Sequence, residues 1–311
     1  MTPYRACCRC SLTTVTTRRG DVIAAYLAAA AAALLWGTSL LLTRITLTEM
    51  GPMAIAALRW WITSLVLLAI VAASPRTRQA FRQALRKEWP LFLALGIIGE
   101  GVAYILQNLA LVYTTTVDVG LIMNAYPILS AVLGVWILKE QMTRRAAGGL
   151  ALALLGVTFI NLGGLLAPEA RAQARLLGNV LAMAATLAGA FYIVVGKRMV
   201  LVYGPLTVTA LAGVIGAVSM TPAAVWEGIA PPWSLDVWAA LVALAIGCGA
   251  GAYWLWWYAA QRMPLSKAGV FLHLTPVVST LLGILVLGEP LTVATAAGAG
   301  LVLGGLALVQ A

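Results

Sequence analysis

The chain has 311 residues, of which 62% are hydrophobic and only 10% are charged, and its formal net charge is +10. A soluble domain carries about 25% charged residues, so this composition excludes a soluble protein and predicts a polytopic membrane protein. The positive charge does not indicate nucleic-acid binding here, because a membrane protein concentrates basic residues in the loops of one face.

The first 21 residues are expected to form a polar, basic tail. They include Cys7, Cys8 and Cys10. A disordered leader is the favoured interpretation, with acylation or metal capture as the alternative. The tail is not a secretory signal, because the apolar run after it continues into a full membrane span. No paired CxxC motif occurs in the chain, and neither a metal nor a cofactor is expected.

Ten apolar segments are long enough to cross a bilayer, which takes about 20 helical residues. In chain order these spans 1 to 10 are 22–43, 52–73, 90–112, 117–138, 146–165, 177–196, 205–226, 237–260, 267–288 and 292–310. Loops rich in Gly, Pro and charge separate them, and most are short, so consecutive helices are expected to lie antiparallel. No loop has room for a nucleotide-binding domain and no GxxxxGK[ST] motif occurs, so the chain is not expected to hydrolyse ATP.

The Lys and Arg residues of the loops predict the orientation in the membrane. With a cytoplasmic N terminus, the outside loops contain only Arg44, Arg171 and Arg175. The inside loops then contain Arg5, Arg9, Arg18, Arg19, Arg76, Arg78, Arg82, Arg86, Lys87, Lys139, Arg144, Arg145, Lys197, Arg198, Arg262 and Lys267. We therefore expect both termini in the cytoplasm and a location in the inner (plasma) membrane.

An internal repeat organises the chain: Tyr104–Ile160 aligns with Tyr253–Val309 at a constant offset. The informative matches are Tyr104 with Tyr253, Pro127 with Pro276, Ser130 with Ser279, Glu140 with Glu289 and Thr143 with Thr292. Upstream, Met50–Leu58 aligns with Tyr203–Leu211. Five spans per half is an odd number, so the second half must enter the membrane inverted. Duplicated, inverted halves are typical of secondary transporters.

The segment WGTSLLLTRITLTEMGPMAIAALRW and the two repeats ending in LKE and LGEPLT resemble the two EamA domains of the drug/metabolite transporter superfamily. The resemblance divides the chain into a first repeat at 22–165, a linker at 166–176 and a second repeat at 177–311. It implies an all-α protein of ten transmembrane helices in two inverted five-helix repeats. It also implies alternating access around a cavity lined by spans 1, 3, 4, 6, 8 and 9. The superfamily moves many metabolites on one scaffold, so the fold does not define the substrate.

Polar residues inside a span are costly and need an explanation. In span 3, Glu100, Tyr104 and Asn108 recur every four residues, with Gln107 at the edge, which predicts one polar helix face. That face is interpreted as a wall of the substrate cavity, where Glu100 binds a cationic group or a coupling proton. The alternative is a structural role for Glu100, as a neutral carboxyl or as the partner of Arg59 in span 2.

Asn124 in span 4 and His273 in span 9 are equivalent residues, each three positions before a proline. Pro127 and Pro276 are expected to bend these helices, because proline removes a backbone hydrogen bond. Polar residues beside two such bends would converge where transporter sites lie. His273 is also a candidate proton carrier.

Aromatic residues form the third group of candidates. Span 8 contains a run of aromatic residues that surround the helix, so they cannot all face lipid. Tyr253 and Trp257 are chosen from this run as residues that face inward. Trp36, Ser39 and Tyr192 are added from spans 1 and 6, Tyr192 being the repeat equivalent of Ser39. Other tryptophans near span ends, including Trp60, are interpreted as interfacial.

The expected function is secondary transport, with export of neutral amino acids, aromatic and apolar ones included, as the first hypothesis. The alternative is proton-coupled export of organic cations or drugs that uses Glu100. A membrane enzyme is disfavoured, because no nucleophile–base motif or carboxylate cluster is visible. Expected partners are a small-molecule substrate, the lipid bilayer and protons, without nucleic acid, in a monomer or homodimer. Glu140 and Glu289 are interpreted as solvated helix ends or caps on the next helix or, alternatively, as parts of a gating salt bridge.

Overall fold

The computed structural model describes residues 19–310 apart from 124, 127–128, 131–132, 134–143, 163–168, 261, 263–270 and 273. Every regular element in these residues is helical. The helices are α1 (Arg19–Thr46), α2 (Pro52–Ala73), α3 (Pro75–Lys87), α4 (Trp89–Tyr113), α5 (Thr116–Met123), α6 (Arg144–Leu162), α7 (Glu169–Tyr203), α8 (Pro205–Glu227), α9 (Leu235–Ala259), α10 (Leu274–Leu287) and α11 (Val293–Gln310).

Most of these helices are long and apolar enough to cross a membrane. Within the described part of the chain, α1, α2, α4, α7, α8 and α9 meet this criterion by length and composition, and α10 and most of α11 are shorter apolar helices. The prediction of an all-α, multi-span membrane protein is confirmed.

The helix α3 was not predicted, because Pro75 and the charges around it were interpreted as a loop. Proline fits the first turn of a helix, and the Arg, Gln, Ala and Leu residues that follow are good helix formers. Phe81 and Ala84 pack inward, whereas Arg82 and Arg86 are exposed. The segment is therefore an amphipathic, basic helix between two spans.

The two repeats share an unusual backbone feature. Residues Leu95–Val102 of α4 and Ala243–Gly251 of α9 are π-helical, with the wider turn that π-helices have. These stretches lie at equivalent positions of the internal repeat. Because the wide turn occurs in both halves, we infer that it is a structural feature of the repeat unit.

Glycines let helices from opposite halves approach closely at these wide turns. A Cβ added at Gly216 of α8 would lie 2.8 Å from the Cβ of Glu100 in α4. In the equivalent crossing, a Cβ at Gly249 of α9 would clash with Thr63 of α2. The first half thus packs its α4 on α8, and the second half packs its α9 on α2.

Small residues also let the helices of spans 5 and 10 pack closely. In α6 and α11, a Cβ at Gly156 would lie 2.6 Å from the carbonyl oxygen of Gly298. Backbones this close are typical of small-residue contacts between membrane helices.

One end of the bundle, the acidic end, is held together by carboxylates. Glu227, at the end of α8, accepts hydrogen bonds from the backbone N–H groups of Met53 (3.0 Å) and Ala54 (2.8 Å) at the start of α2. Glu289, after α10, accepts from the N–H groups of Thr116 and Val117 at the start of α5, both at 2.9 Å. Each carboxylate caps a helix N terminus, where the helix dipole favours negative charge.

Two further contacts complete the acidic end. Asp118 of α5 forms an ion pair with Arg175 of α7, with Oδ2 at 2.6 Å from Nε and Oδ1 at 2.9 Å from Nη2. The backbone N–H of Ser234 donates to Oε2 of Glu49 at 2.7 Å, and this bond lowers the pKa of the Glu49 carboxyl. The opposite end, the basic end, contains α3, Lys197, Arg198 and Arg262.

Candidate functional site

A central cavity of about 180 Å³ lies between six helical segments. It is smaller than the roughly 300–1,000 Å³ typical of pockets for drug-sized ligands, so its size suits a small metabolite. Its lining residues are Trp36, Ser39, Leu40, Gly99, Tyr104, Gln107, Gly120, Met123, Tyr126, Gly189, Tyr192, Ile193, Lys197, Tyr253, Trp256, Trp257, Leu272, Thr275 and Pro276. They come from α1, α4, α5, α7, α9 and α10 and the residues beside them, which correspond to spans 1, 3, 4, 6, 8 and 9.

The cavity wall follows the internal repeat. On α1, Trp36, Ser39 and Leu40 face the cavity, and their equivalents on α7 are Gly189, Tyr192 and Ile193, which face it too. The further equivalent pairs in the wall are Tyr104 with Tyr253, Gln107 with Trp256, Met123 with Leu272 and Tyr126 with Thr275. The cavity therefore lies on the pseudo-twofold axis, the position at which inverted-repeat transporters bind their substrates.

Tyr253 is the centre of the aromatic wall. Its ring packs edge-to-face on Trp36 (5.4 Å between centroids), Trp60 (5.8 Å) and Tyr192 (6.3 Å). The indole Nε1 of Trp36 donates to the carbonyl oxygen of Cys248 at 3.2 Å, which fixes this ring beside α9. Interlocked rings of this kind give a rigid apolar surface for a flat or bulky solute.

Trp60 itself is fully buried behind the wall, with its ring 5.4 Å from that of Tyr104. Its interpretation as an interfacial residue is wrong. The cause is the close crossing of α2 with α8, where a Cβ at Gly213 would lie 2.9 Å from the Trp60 ring.

Glu100 does not line the cavity. Its side chain is fully buried behind the wall, where the carboxyl interacts with Arg59 and with the wall residues Tyr192 and Tyr253. Neither carboxyl oxygen has a partner with hydrogen-bond geometry among the described residues. The predicted polar face assumed regular α-helical spacing, whereas this turn is π-helical. Gly99 and Tyr104, five residues apart, therefore share the cavity face, and Glu100 lies on the neighbouring face.

The direct ion pair between Glu100 and Arg59 is not formed either. The Arg59 guanidinium stacks on Tyr104, with Cζ 4.5 Å from the ring centroid, and its Nε and Nη1 contact no acceptor in the described residues. Arg59 is thus a buried cation that is stabilised by an aromatic face.

Asn108 belongs to the scaffold in this structure. Its Nδ2 donates to the carbonyl oxygen of Pro52 at 3.0 Å and so connects α4 to the start of α2. Gln107, given only as an edge residue in the sequence prediction, is the polar residue of this turn that lines the cavity. The prediction placed Asn108 in the cavity wall instead of its neighbour Gln107. The π-helical turn changes which side of the helix faces the cavity in the residues that follow it.

The other predicted residues fall into two groups. Trp36, Ser39, Tyr104, Tyr192, Tyr253, Trp257 and Pro276 all lie in the cavity wall. Asn124, Pro127, His273 and Glu140 lie outside the described residues. The bends and the paired polar site that were predicted from them stay predictions.

Lys197 is a lining residue that the sequence analysis missed. It was assigned to an inside loop by its charge, but α7 continues to Tyr203 and carries it along the cavity face. Gly189, Ile193 and Lys197 recur every four residues, which is the spacing of one helix face and could have identified it. Lys197 is thus a cavity residue and not only a loop residue.

Contacts at the acidic end connect helices that line the cavity. Glu289 caps α5 and so connects two helices that contribute lining residues, and Asp118 connects α5 to α7. Capping of α5 corrects the expectation that Glu289 would cap the helix that follows it. The Asp118–Arg175 pair was not predicted, because Arg175 lies in a stretch that was interpreted as a loop. No cluster of metal-ligating side chains occurs in the described part of the chain.

Comparison with known proteins identifies the family. The model of the EamA-like transporter family matches residues 23–162 and again 176–310. An uncharacterized transporter of Archaeoglobus fulgidus is 31% identical over 274 residues, which cover 88% of this chain and 94% of that protein. The uncharacterized transporter YyaM of Bacillus subtilis is 29% identical, with 90% and 92% covered.

A solved crystal structure also matches, with a TM-score of 0.65 and 25% sequence identity, and covers 94% of this chain and 98% of that one. The duplicated family match agrees with the repeat seen in the sequence and in the paired π-helical turns. The chain belongs to the EamA-like transporter family of the drug/metabolite transporter superfamily and contains two copies of its repeat.

Proposed function

We propose that the protein is a secondary transporter of the inner (plasma) membrane that exports small metabolites, foremost neutral amino acids with aromatic or apolar side chains. Transport proceeds by alternating access through the central cavity. The acidic end faces the outside and the basic end faces the cytoplasm, with both termini cytoplasmic.

The observation that carries the proposal is the small, aromatic cavity on the pseudo-twofold axis. Tyr104, Tyr192, Tyr253, Trp36 and Trp257 supply stacking surfaces from both repeats. Ser39, Gln107 and Thr275 add hydroxyl and amide groups that can bind the polar part of a solute. An apolar wall with a few polar groups is the usual composition of a small-molecule site.

The asymmetry of the two ends supports alternating access. The carboxylates of the acidic end connect helices that line the cavity, whereas the lining residues of α7 are buried at Gly189 and Tyr192 and exposed at Ile193 and Lys197, toward the basic end. This arrangement fits an inward-facing state, and the inverted second repeat offers the matching outward-facing state.

Flux into proteoliposomes tests the proposal. Labelled neutral amino acids and organic amines are offered one at a time, with and without a pH gradient. Equilibrating uptake of aromatic and apolar amino acids, lost in Trp257→Ala, supports a facilitative exporter. Uptake of none of the amino acids by a folded protein would contradict it.

The second candidate function is proton-coupled export of organic cations through Glu100. The observation that favours it is the buried carboxyl without a hydrogen-bond partner, a costly arrangement that needs a reason. In this structure, however, Glu100 is not itself a lining residue, and its carboxyl lies behind the wall residues Tyr192 and Tyr253, through which it would act on a cation in the cavity. Gradient-driven uptake confined to cations, and abolished in Glu100→Gln, would select this function over the first.

A further inference from the structure

The charged residues of the cavity wall limit which solutes the cavity can accept. Among the described lining residues, Lys197 alone carries a charge, because the other polar members are hydroxyl or amide side chains and indoles. Lys197 is exposed, and no ion pair to it occurs in the part of the chain that the structure describes. Among the described residues, therefore, no carboxylate neutralises its ammonium group, which can attract an anion that enters the cavity.

The position of Lys197 suits a solute held by the aromatic wall. It follows Tyr192 by five residues on α7, a distance of about 7.5 Å along the helix axis at 1.5 Å per residue. Ile193, one turn before it, also lines the cavity. A solute held in the cavity against the rings of Tyr192 and Tyr253 would thus extend a negative group toward the basic end.

The internal repeat gives Lys197 a counterpart. The alignment that pairs Ser39 with Tyr192 also pairs Arg44 with Lys197, and the two helix faces run Trp36–Leu40–Arg44 and Gly189–Ile193–Lys197. Arg44 lies in the last turn of α1, toward the acidic end, and does not line the cavity in this structure. Lys197, toward the basic end, and Arg44, toward the acidic end, therefore occupy the same position of their repeats.

We propose, on the basis of the transport function above, that Lys197 and Arg44 are the carboxylate-recognising residues of the two mouths. Lys197 binds the carboxylate of an aromatic or apolar solute on the cytoplasmic side, and Arg44 receives it on the outer side after the cavity has reopened there. The site then requires a carboxylate on the solute, and an amino group is dispensable.

The inference predicts a rank order for three probes of similar size. L-Phenylalanine and 3-phenylpropionate carry a carboxylate, whereas 2-phenylethylamine carries only an amine. The wild-type protein is expected to move the first two and to discriminate against the third, because an ammonium group beside Lys197 is repelled. A charge-assisted hydrogen bond accounts for about a tenfold preference.

The substitutions are tested by offering each probe from one side of oriented vesicles. Lys197→Gln should raise KM about tenfold for the two carboxylates offered at the cytoplasmic face, and should leave entry from the outer face unchanged. Arg44→Gln should do the opposite. Lys197→Arg should retain the wild-type KM, because it keeps the cation.

Arg198→Gln is the matched control. Arg198 is the neighbouring exposed cation on α7 but does not line the cavity. Its substitution should therefore leave the KM of all three probes unchanged. An equal effect of Arg198→Gln and Lys197→Gln would overturn the inference, because it would reflect surface charge alone.

Two other outcomes separate this inference from the proposed function. If the wild-type protein moves 2-phenylethylamine as well as the carboxylates, or if Lys197→Gln behaves as wild type, the carboxylate role is wrong while the transport function stands. If the folded wild-type protein moves none of the probes and no other amino acid, the proposed function fails and this inference fails with it.

Discussion

The two ends of the helical bundle are built differently. At the acidic end, Glu227 and Glu289 each cap a helix of another segment, and Asp118 binds Arg175. Toward the basic end, the cavity wall becomes progressively exposed along α7 and ends in Lys197. The polar contacts of the acidic end each join two helical segments through a single side chain, which is the kind of contact that a conformational change can break and re-form.

The two carboxylate caps also differ from each other. Both accept hydrogen bonds from two consecutive backbone amides at a helix start. Glu289 joins segments that line the cavity, whereas Glu227 joins α8 and α2, which contribute no lining residue. The same chemistry thus occurs once beside the cavity and once away from it, so the two positions can be compared by experiment.

The largest effect is expected from Asp118→Asn, which breaks the ion pair at the acidic end. Asp118 is 1% exposed and Arg175 is 19% exposed, so the substitution leaves a largely buried guanidinium without its anion. Removing one partner of a buried pair costs about 3–5 kcal/mol, and partial exposure reduces this to about 2–4 kcal/mol. Thermal unfolding in detergent measures the loss.

Asp236→Asn is the control for that substitution, because Asp236 is exposed in the first turn of α9. Its expected effect is about 0.5 kcal/mol or less. If Asp118→Asn were as stable as the wild type, the ion pair would not hold the acidic end.

A smaller effect is expected from Glu289→Gln, compared with Glu227→Gln. Each variant loses a charged cap, at a cost of about 1–2 kcal/mol. Only Glu289→Gln should open the outer mouth, and this energy corresponds to about 5–30-fold in the open population. The measurement is labelling of Ser39→Cys by a membrane-impermeant thiol reagent from outside, with the native cysteines replaced. Equal labelling of the two variants would show that the α5 cap is not part of the gate.

The smallest effect concerns pH at Glu49. Because the Ser234 N–H lowers the pKa of this carboxyl in the folded protein, the contact stabilises the loop at neutral pH. The stabilisation is lost as the pH falls through the lowered pKa, since protonation removes the charged acceptor. Hydrogen exchange of the Ser234 amide, corrected for its intrinsic rate, should show protection that fades in acid. Glu49→Gln should show no such fading, and an identical profile in both proteins would contradict the assignment.

Much of the fold follows from the sequence alone. The apolar spans and the internal repeat predict an all-helical membrane protein with duplicated halves, because bilayer thickness and helix rise leave few alternatives. The repeat also selects residues: Tyr192 and Tyr253 were chosen as equivalents of Ser39 and Tyr104, and all four lie in the cavity wall.

The wide turn of α4 could not be predicted from apolar periodicity. Its GIIGEG sequence is equally compatible with a regular helix, and the extra residue in the turn decides which neighbour faces the cavity. For this reason Glu100 and Asn108 were assigned to the cavity, and Gln107 was left at the edge.

Lys197 shows a different limitation. A basic residue near a span end satisfies the positive-inside rule wherever it points, so charge alone does not reveal its role. Only the helix face shared with Gly189 and Ile193 distinguishes it from the adjacent Arg198.

Counterflow of L-phenylalanine in proteoliposomes tests the central claim most directly. Vesicles that contain the purified protein are loaded with unlabelled substrate and diluted into a trace of labelled substrate. A carrier with alternating access should accumulate the label transiently above its equilibrium level, because each binding site exchanges one molecule for another. Equilibration without such an overshoot would contradict alternating access through this cavity and would indicate a channel.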